Sequence, residues 1–398
     1  MHDRPGGELT RPLTNPNFYA HDPFPLYARL REHAPVAWND EVGFWAVSTH
    51  ADVMRISRDP ETFCSSRGIL LMDIGRDLPE IPGALLYVDP PVHGRYRKLV
   101  NPGFGPARVR ALEADIRTRA RGLLDTVTTG APFDVVEQLT VPFPMLVIAD
   151  LLGIPGDDVA RYQTWSDAAI AAATDMTADT TVELTEMAEF FLAVADARRR
   201  DPRDDLVSML VHDPVDGERL NDGELLMFLG QLLVAGNDTT RNLLSGGLAA
   251  LAVHTDQWDR MRADRALIPT AVEELLRWTT PVISFMRTAT RDVQLGEHVV
   301  HEGEPVLLLY ASANRDEAVF GPNAERLDVG RTPNPHVAFG YGPHFCLGAA
   351  LARLEARVFL EELLDRFTTL ESAGEIEWLA SGVIHGVVRA PLVLGEKR

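Results

Sequence analysis

Apolar side chains recur every three or four residues over much of this chain. The segments near 24–33, 91–100, 106–128, 156–173, 183–200, 222–253, 269–278 and 346–367 each carry such a stripe, which predicts helices. Short alternating or β-branched stretches at Val36–Val47, Val282–Arg287, Val293–Val300, Pro305–Leu309 and near the C-terminus, bounded by turn residues, predict small peripheral sheets. The expected fold class is therefore mainly α. No linker rich in Gly, Ser or Pro separates these elements and no internal repeat recurs, so residues 1–398 read as one large domain.

Residues 62–86 break the pattern. Ser65, Ser66, Gly68, Gly75, Pro79, Pro82 and Gly83 lie scattered among apolar side chains, which predicts a long loop of the kind used for lids and binding sites. The Arg198–Arg200 run before Asp201-Pro202 reads as the cationic, solvated last turn of a helix stopped by proline, and no function is assigned to it.

Composition narrows the function classes. The chain has 398 residues, 45% of them hydrophobic, and a net charge of -20, which argues against nucleic acid because phosphate binding needs a dominant positive field. Two cysteines, Cys64 and Cys346, are too few for a disulfide framework and suit a reducing compartment, so the cytoplasm is expected. Met1–Asn17 lacks the charged-then-apolar order of a signal peptide. The apolar stretch Leu225–Gly236 carries Gln231 and is shorter than the roughly 20 residues a membrane span needs.

Candidate chemistry concentrates at Phe339-Gly340-Tyr341-Gly342-Pro343-His344-Phe345-Cys346-Leu347-Gly348, which leads into the helical run Ala349–Leu364. Two glycines allow a tight loop, and a thiol at a helix N-terminus meets free N–H groups and a dipole that favour its anion. Structural zinc would need about four Cys or His ligands, and Cys64 is remote. Neither C-x-x-C nor C-x-x-C-H occurs, and Phe345 stands where a dinucleotide fingerprint needs its third glycine. Without further context a free cysteine is usually a buried small hydrophobe, as Cys64 is expected to be.

The ten residues resemble the heme-binding signature F-G-x-G-x-H-x-C-L-G of cytochromes P450 at every specified position. That resemblance implies the cytochrome P450 fold, heme b (iron protoporphyrin IX) as cofactor, Cys346 as the iron's axial ligand, and heme contacts from Phe339, Gly340 and Gly348. Thiolate ligation favours O–O bond cleavage. Further motifs of the family occur in order. Ala235-Gly236-Asn237-Asp238-Thr239-Thr240 is similar to its A-G-x-D/E-T segment, implying that Gly236 leaves room for dioxygen and that Asp238 and Thr239 relay protons on the oxygen side. By propensity alone, Gly-Asn-Asp-Thr-Thr is a poor helix interior, and Asp238 or Thr239 could equally cap a second helix. The acid–threonine pair argues against the peroxygenase branch, which resembles the family but replaces this pair. Glu274-Leu275-Leu276-Arg277 matches E-x-x-R, with Arg326 in Ala324-Glu325-Arg326-Leu327-Asp328 as its expected third member, a network that fixes the loop before the cysteine. His93 and Arg97 match H-x-x-x-R, and with Arg287 and His344 they would hold the heme propionates. The resemblance runs from Asp22-Pro23-Phe24-Pro25 to the C-terminal strands.

The resemblance further implies a monooxygenase inserting one atom of O2 into a C–H bond. No flavin or iron–sulfur motif is present, so a separate ferredoxin and ferredoxin reductase are expected, docking at Arg95, Lys98, Arg108, Arg110, Arg353 and Arg357. Candidate pocket residues are Leu85, Leu86, Leu232, Val234, Ile283, Ser284, Phe285, Val383 and Ile384, nearly all apolar, which suits a lipophilic small molecule. Thr239-Thr-Arg-Asn-Leu-Leu-Ser-Gly-Gly, Arg277-Trp-Thr-Thr-Pro and Asn334-Pro-His-Val-Ala-Phe look like actinobacterial sterol- and lipid-hydroxylating members, so a steroid, terpenoid or lipid is expected. An antibiotic-pathway tailoring enzyme is the close alternative, and a heme-binding sensor or carrier the alternative of another class.

Overall fold

The computed structural model describes residues 6–156, 158–174, 178–214 and 217–396. The chain enters through α1 (Phe24–His33) and the hairpin β1 (Val36–Asn39) and β2 (Phe44–Val47), then α2 (His50–Ser57) and the two-residue strand β3 (Phe63–Cys64). Helices α3 (Val92–Val100), α4 (Glu113–Leu124), α5 (Pro142–Leu152), α6 (Val159–Thr174), α7 (Thr181–Arg200) and α8 (Leu206–His212) lead to the long α9 (Asp222–Val253). After α10 (Thr255–Ala263) and α11 (Ile268–Thr279) the chain returns through β4 (Ser284–Ala289) and β5 (Pro305–Leu309), and α12 (Ala349–Arg366) precedes the C-terminal strands.

The helices expected from periodicity lie where the pattern places them, with informative exceptions. The 106–128 stripe divides into Pro106–Ala111 and α4 around Leu112. Helix α5 carries no stripe because eight of its eleven residues are buried, so it is apolar all round, as a core helix should be. Helix α9 does not break at the Gly-Asn-Asp-Thr-Thr string. A capping box between Asn221 and Glu224 starts it, and packing on α5, α6 and α11 carries it through residues of poor helix propensity. The main core surrounds it, with Phe143, Trp165, Phe191, Trp258 and Phe359 fully buried.

The largest sheet has the order β1-β2-β5-β4-β3. Only β2 and β5 run parallel, with Trp45 opposite Val306. Three smaller sheets lie apart from it. The stretch 62–86 forms the two residues of β3, a short 3-10 turn at Leu71–Asp73 and the start of another at Leu85–Tyr87, and is otherwise irregular. It is pinned to α9 by Gln231, whose Nε2 donates to the Gly83 carbonyl at 2.9 Å.

Two expectations are corrected. Arg198 is buried rather than solvated: its guanidinium pairs with Asp205 and donates to the Gly153 carbonyl at 2.6 Å, closing the α7–α8 corner. The third side chain of the Glu274–Arg277 network is Arg331, not Arg326. Glu274 and Arg277 are fully buried on α11, joined by two hydrogen bonds of 2.8 Å. Arg331 Nε reaches Glu274 at 3.0 Å and the Asp328 amide donates to it at 2.8 Å, while Arg277 donates to the carbonyls of Asn314, Ala324 and Arg326. Arg326 thus contributes only its main chain, and its side chain is exposed. The network ties residues 314–334 to α11, immediately before the cysteine loop.

Because removing one member of a buried ion pair leaves the other uncompensated, Glu274→Ala should cost about 3–5 kcal/mol of stability. Arg331→Ala should cost at least about 1 kcal/mol, and Arg326→Ala should stay within about 0.5 kcal/mol. Chemical denaturation of the three variants checks the order, and a larger loss in Arg326→Ala than in Arg331→Ala would contradict this assignment.

Candidate functional site

The cysteine loop is shaped by its backbone. Cys346 N–H donates to the Phe339 carbonyl at 2.9 Å and Phe345 N–H to that of Gly342 at 3.1 Å, with Gly340 and Gly342 in the left-handed region at φ 66° and 71°. Gly342 lies against the end of α2, where an added Cβ would fall 2.0 Å from the Ser57 carbonyl oxygen. The loop delivers Cys346 to the start of α12. Burial pushes its thiol pKa up, against the Gly348 N–H and the positive charges of Arg97 and Arg353, so the helix end alone does not create the expected thiolate.

Two other elements converge beside the loop. His93 and Arg97 lie one turn apart on α3, Arg287 projects from β4, and His344 comes from the loop itself. The rings of His93 and His344 stand 4.2 Å apart, and His344 Nε2 meets the Ser65 hydroxyl at 3.2 Å. Burial and the charges of Arg97 and Arg287 lower His93 to about 4, and burial with Arg287, His93 and Arg97 lowers His344 to about 2. Burial also lowers Arg97. No ion pair is found for Arg97 or Arg287 among the described residues, and buried His93 Nε2 has no hydrogen-bond partner. Asp89 is the nearby carboxylate, and its oxygens are taken by the amides of Ser65 and Ser66. Four basic groups without a counter-ion form a cradle for a dianion.

The middle of α9 carries the remaining expected residues. Ala235 is exposed although it lies at the centre of a largely buried helix, and Val234, Gly236 and Thr239 are half-exposed. Thr239 Oγ1 donates to the Ala235 carbonyl at 2.7 Å. Asp238 is buried, 2.7 Å from Arg241 Nη2, and burial raises its pKa against the opposing charge of Arg241. Gly236 has a different role from the one expected: an added Cβ would meet Ile148 Cδ1 at 2.6 Å, so this glycine serves the packing of α9 on α5.

The expected pocket residues divide. Val383 and Ile384 are brought to β4 by the Ile283 N–H to Val383 carbonyl bond of 2.8 Å and the Val282–Ile384 bridge. These two, with Leu85, Leu86, Val234 and Phe285, keep exposed surface. Leu232, Ile283 and Ser284 do not: the first two are packed into core clusters and the Ser284 hydroxyl donates to the Gly382 carbonyl at 2.7 Å. The expected basic docking surface is likewise corrected, because its arginines are mostly ion-paired. Arg95 pairs with Glu218 and Glu224, Arg108 with Asp204, Arg353 with Glu273, and Arg357 with Glu113 and Glu361. Sequence reasoning missed Ser65, Arg331 and Arg241, of which only Arg241, three residues after Asp238 on one helix face, left a local signal.

Among the described residues no three His, Cys, Asp or Glu lie together as a metal site. A metal at Cys346 would therefore take one protein ligand and the rest from a group carrying negative charge, which is what heme with its propionates offers. A profile described as Cytochrome P450 matches residues 150–381 of this chain. The chain belongs to the cytochrome P450 family. It is 40% identical to a protein named putative cytochrome P450 126 of Mycobacterium tuberculosis, over 94% of this chain and 95% of that one. It is also 41% identical to a steroid C26-monooxygenase of the same species, covering 90% of this chain and 89% of that one. The solved structure of Mycobacterium marinum cytochrome P450 CYP268A2 in complex with pseudoionone superposes with a TM-score of 0.86 at 36% identity, covering 95% of this chain and 97% of that one. This P450 is accordingly an oxidoreductase of the monooxygenase class that uses heme b, O2 and electrons from a redox partner. No described helix is long and apolar enough to cross a membrane.

The geometry of this P450 leads to two expected outcomes. Gly342→Ala should abolish heme incorporation, because the Cβ cannot coexist with the Ser57 carbonyl, whereas Gly340→Ala should cost only about 1 kcal/mol of left-handed strain. The heme-to-protein ratio of the purified variants checks this. The second concerns pH. Because His93 and His344 are lowered from 6.5 in the folded state, the unfolded chain takes up protons first as pH falls. Heme-free protein should lose stability from about pH 6.5 downward, toward about 4 for His93, and His93→Gln/His344→Gln should flatten that slope in thermal unfolding.

Proposed function

We propose that this chain, acting as one domain over residues 1–398 in the cytoplasm, hydroxylates an unactivated C–H bond of a lipophilic small molecule of the steroid, terpenoid or lipid class. The observation that carries the reading is the uncompensated cradle of His93, Arg97, Arg287 and His344 beside Cys346. In this reading Cys346 would be the axial ligand, Arg97 and Arg287 would neutralise the propionates while the neutral imidazoles of His93 and His344 donate hydrogen bonds to them, and Phe339, Gly340, Gly348, Ala235 and Gly236 would border the porphyrin. When bound through a cysteine thiolate, heme activates dioxygen by directing electron density toward the O–O bond.

The chain's own residues supply position and protons. One oxygen atom goes to the substrate and the other leaves as water, so each turnover consumes two electrons and two protons. Asp238, whose pKa burial raises, takes up the proton at its carboxyl group, and Arg241 favours its release. Thr239, whose hydroxyl is anchored on the Ala235 carbonyl, passes it toward the open face. Val234, Val383, Ile384, Phe285 and Leu85 exclude water and offer apolar surface to the substrate. The named action of the steroid C26-monooxygenase relative and the pseudoionone held by the solved relative support the lipophilic class. Electrons come from a ferredoxin and its reductase. With Arg353 and Arg357 already paired, docking on the thiolate side would rest on shape, in the groove of about 380 Å³ between Val109, Val272 and Leu354, more than on free positive charge.

The reduced protein with carbon monoxide should show the red-shifted band of a thiolate-ligated heme, and Cys346→Ser should lose it. Steroids and terpenoids should give the low-to-high-spin shift, and with a surrogate ferredoxin and reductase Asp238→Asn should lower product formed per NADH about a hundredfold while the carbon monoxide band persists. An unshifted band in the wild type, or binding of lipids without any product, would refute this assignment; a spin shift confined to polyketide-type natural products would move it to the tailoring class.

A further inference from the structure

One side of α9 meets α6 through polar groups that capping does not explain. Asn237 is fully buried, yet its Nδ2 donates to Gln163 Oε1 on α6 at 3.0 Å and its Oδ1 has no partner. Gln163 donates in turn from Nε2 to Asp167 Oδ1 at 2.7 Å, one turn further along α6, where Asp167 is exposed. A leucine at either amide position would satisfy the apolar helix pair, whereas a buried acceptor left unpaired costs about 1–3 kcal/mol. The residue after Asn237 is Asp238, whose carboxylate meets Arg241 Nη2 at 2.7 Å and Asn242 Nδ2 at 3.4 Å.

We infer that Gln163 and Asp167 on α6 are positioning residues for Asp238: Gln163 ties the acid-bearing turn of α9 to α6, and Asp167 sets a second carboxylate across the helix interface in opposition to Arg241. The inference rests on the reading of Asp238 as the proton-handling acid. Two charged side chains act on Asp238, Arg241 from its own helix and Asp167 from α6, and they act in opposite directions. Arg241 stabilises the carboxylate, while Asp167 repels it and so favours the protonated acid, in the same sense as burial. Gln163 fixes the distance over which that repulsion operates, because its amide bridges Asp167 to Asn237, the neighbour of the acid. An acid held between opposed charges can take up a proton from the solvent side and give it up toward Thr239 with little driving force lost in either transfer. The amide bridge couples the placement of α6 to that balance.

The test is an infrared titration of the protonated carboxyl band of Asp238, identified by its disappearance in Asp238→Asn, on ferric protein with an intact carbon monoxide band after reduction. Asp167→Asn should move the midpoint down and Arg241→Gln should move it up, each by about half a pH unit because both partners are partly solvated. Gln163→Leu should move it down as well, since it releases Asp167 into solvent, and the pH profile of product formed per NADH should shift in the same order. Unmoved midpoints in these three variants, with coupling still lost in Asp238→Asn, overturn the inference alone. Undiminished coupling in Asp238→Asn overturns the reading on which it rests.

Discussion

The constraint on which this structure turns is a largely buried concentration of basic groups with no ion-pair partner among the described residues. Burying one ion without a partner is costly enough that proteins avoid it by pairing the charge or shifting the pKa. Here the response is split. The two imidazoles give up their protons, His93 held at about 4 and His344 at about 2, while Arg97 and Arg287 remain as charges beside the half-buried thiol of the cysteine loop. A prosthetic group that brings two carboxylates and a metal wanting one soft ligand satisfies every one of these groups together. A bound heme would thus tie together elements of different cores: α3 belongs to the main core and β4 to a second, and the cysteine loop borders both.

The buried Glu274–Arg277–Arg331 network answers the opposite problem. Its charges are neutralised within the protein, and their hydrogen bonds go to the carbonyls and amides of 314–334, a stretch with a single one-turn helix, Glu317–Phe320, to organise it. A loop of that length needs many fixed partners to deliver Cys346 in one geometry, and backbone donors and acceptors aimed at a rigid guanidinium supply them. Gly342, pressed against α2, supplies the last restraint.

Much of this was legible in the residues. Periodicity located the long helices, including α9, because amphipathic stripes report directly on burial. The cysteine loop and the four basic groups were singled out by their resemblance to the motifs of the family, and the structure brings His93 and His344 together beside Cys346. What escaped had physical reasons. Helix α5 is apolar on all sides and so has no stripe. The choice between Arg326 and Arg331 depends on how an irregular loop turns, which no spacing rule encodes. Arg198 reads as a solvated helix end until Asp205 and Gly153 fold back onto it. Ile283 and Ser284 alternate with Phe285 along one strand, but only the pairing with 382–384 decides which of them the interior consumes.

Helix α9 shows how the site's requirements are met against local preference. Asn237, Asp238, Thr239 and Thr240 each offer the backbone competing hydrogen bonds, and Thr239 makes one, to the Ala235 carbonyl. The helix persists because its apolar flanks, Leu225 to Leu233 and Leu243 to Leu251, are buried on both sides of that turn. Gly236 lets α5 approach from one direction, and the amides of Asn237 and Gln163 hold α6 from another. This turn is therefore locally unfavourable and globally fixed, so that the side chains of Asp238 and Thr239 are held in place by the packing of the helix on both sides of them.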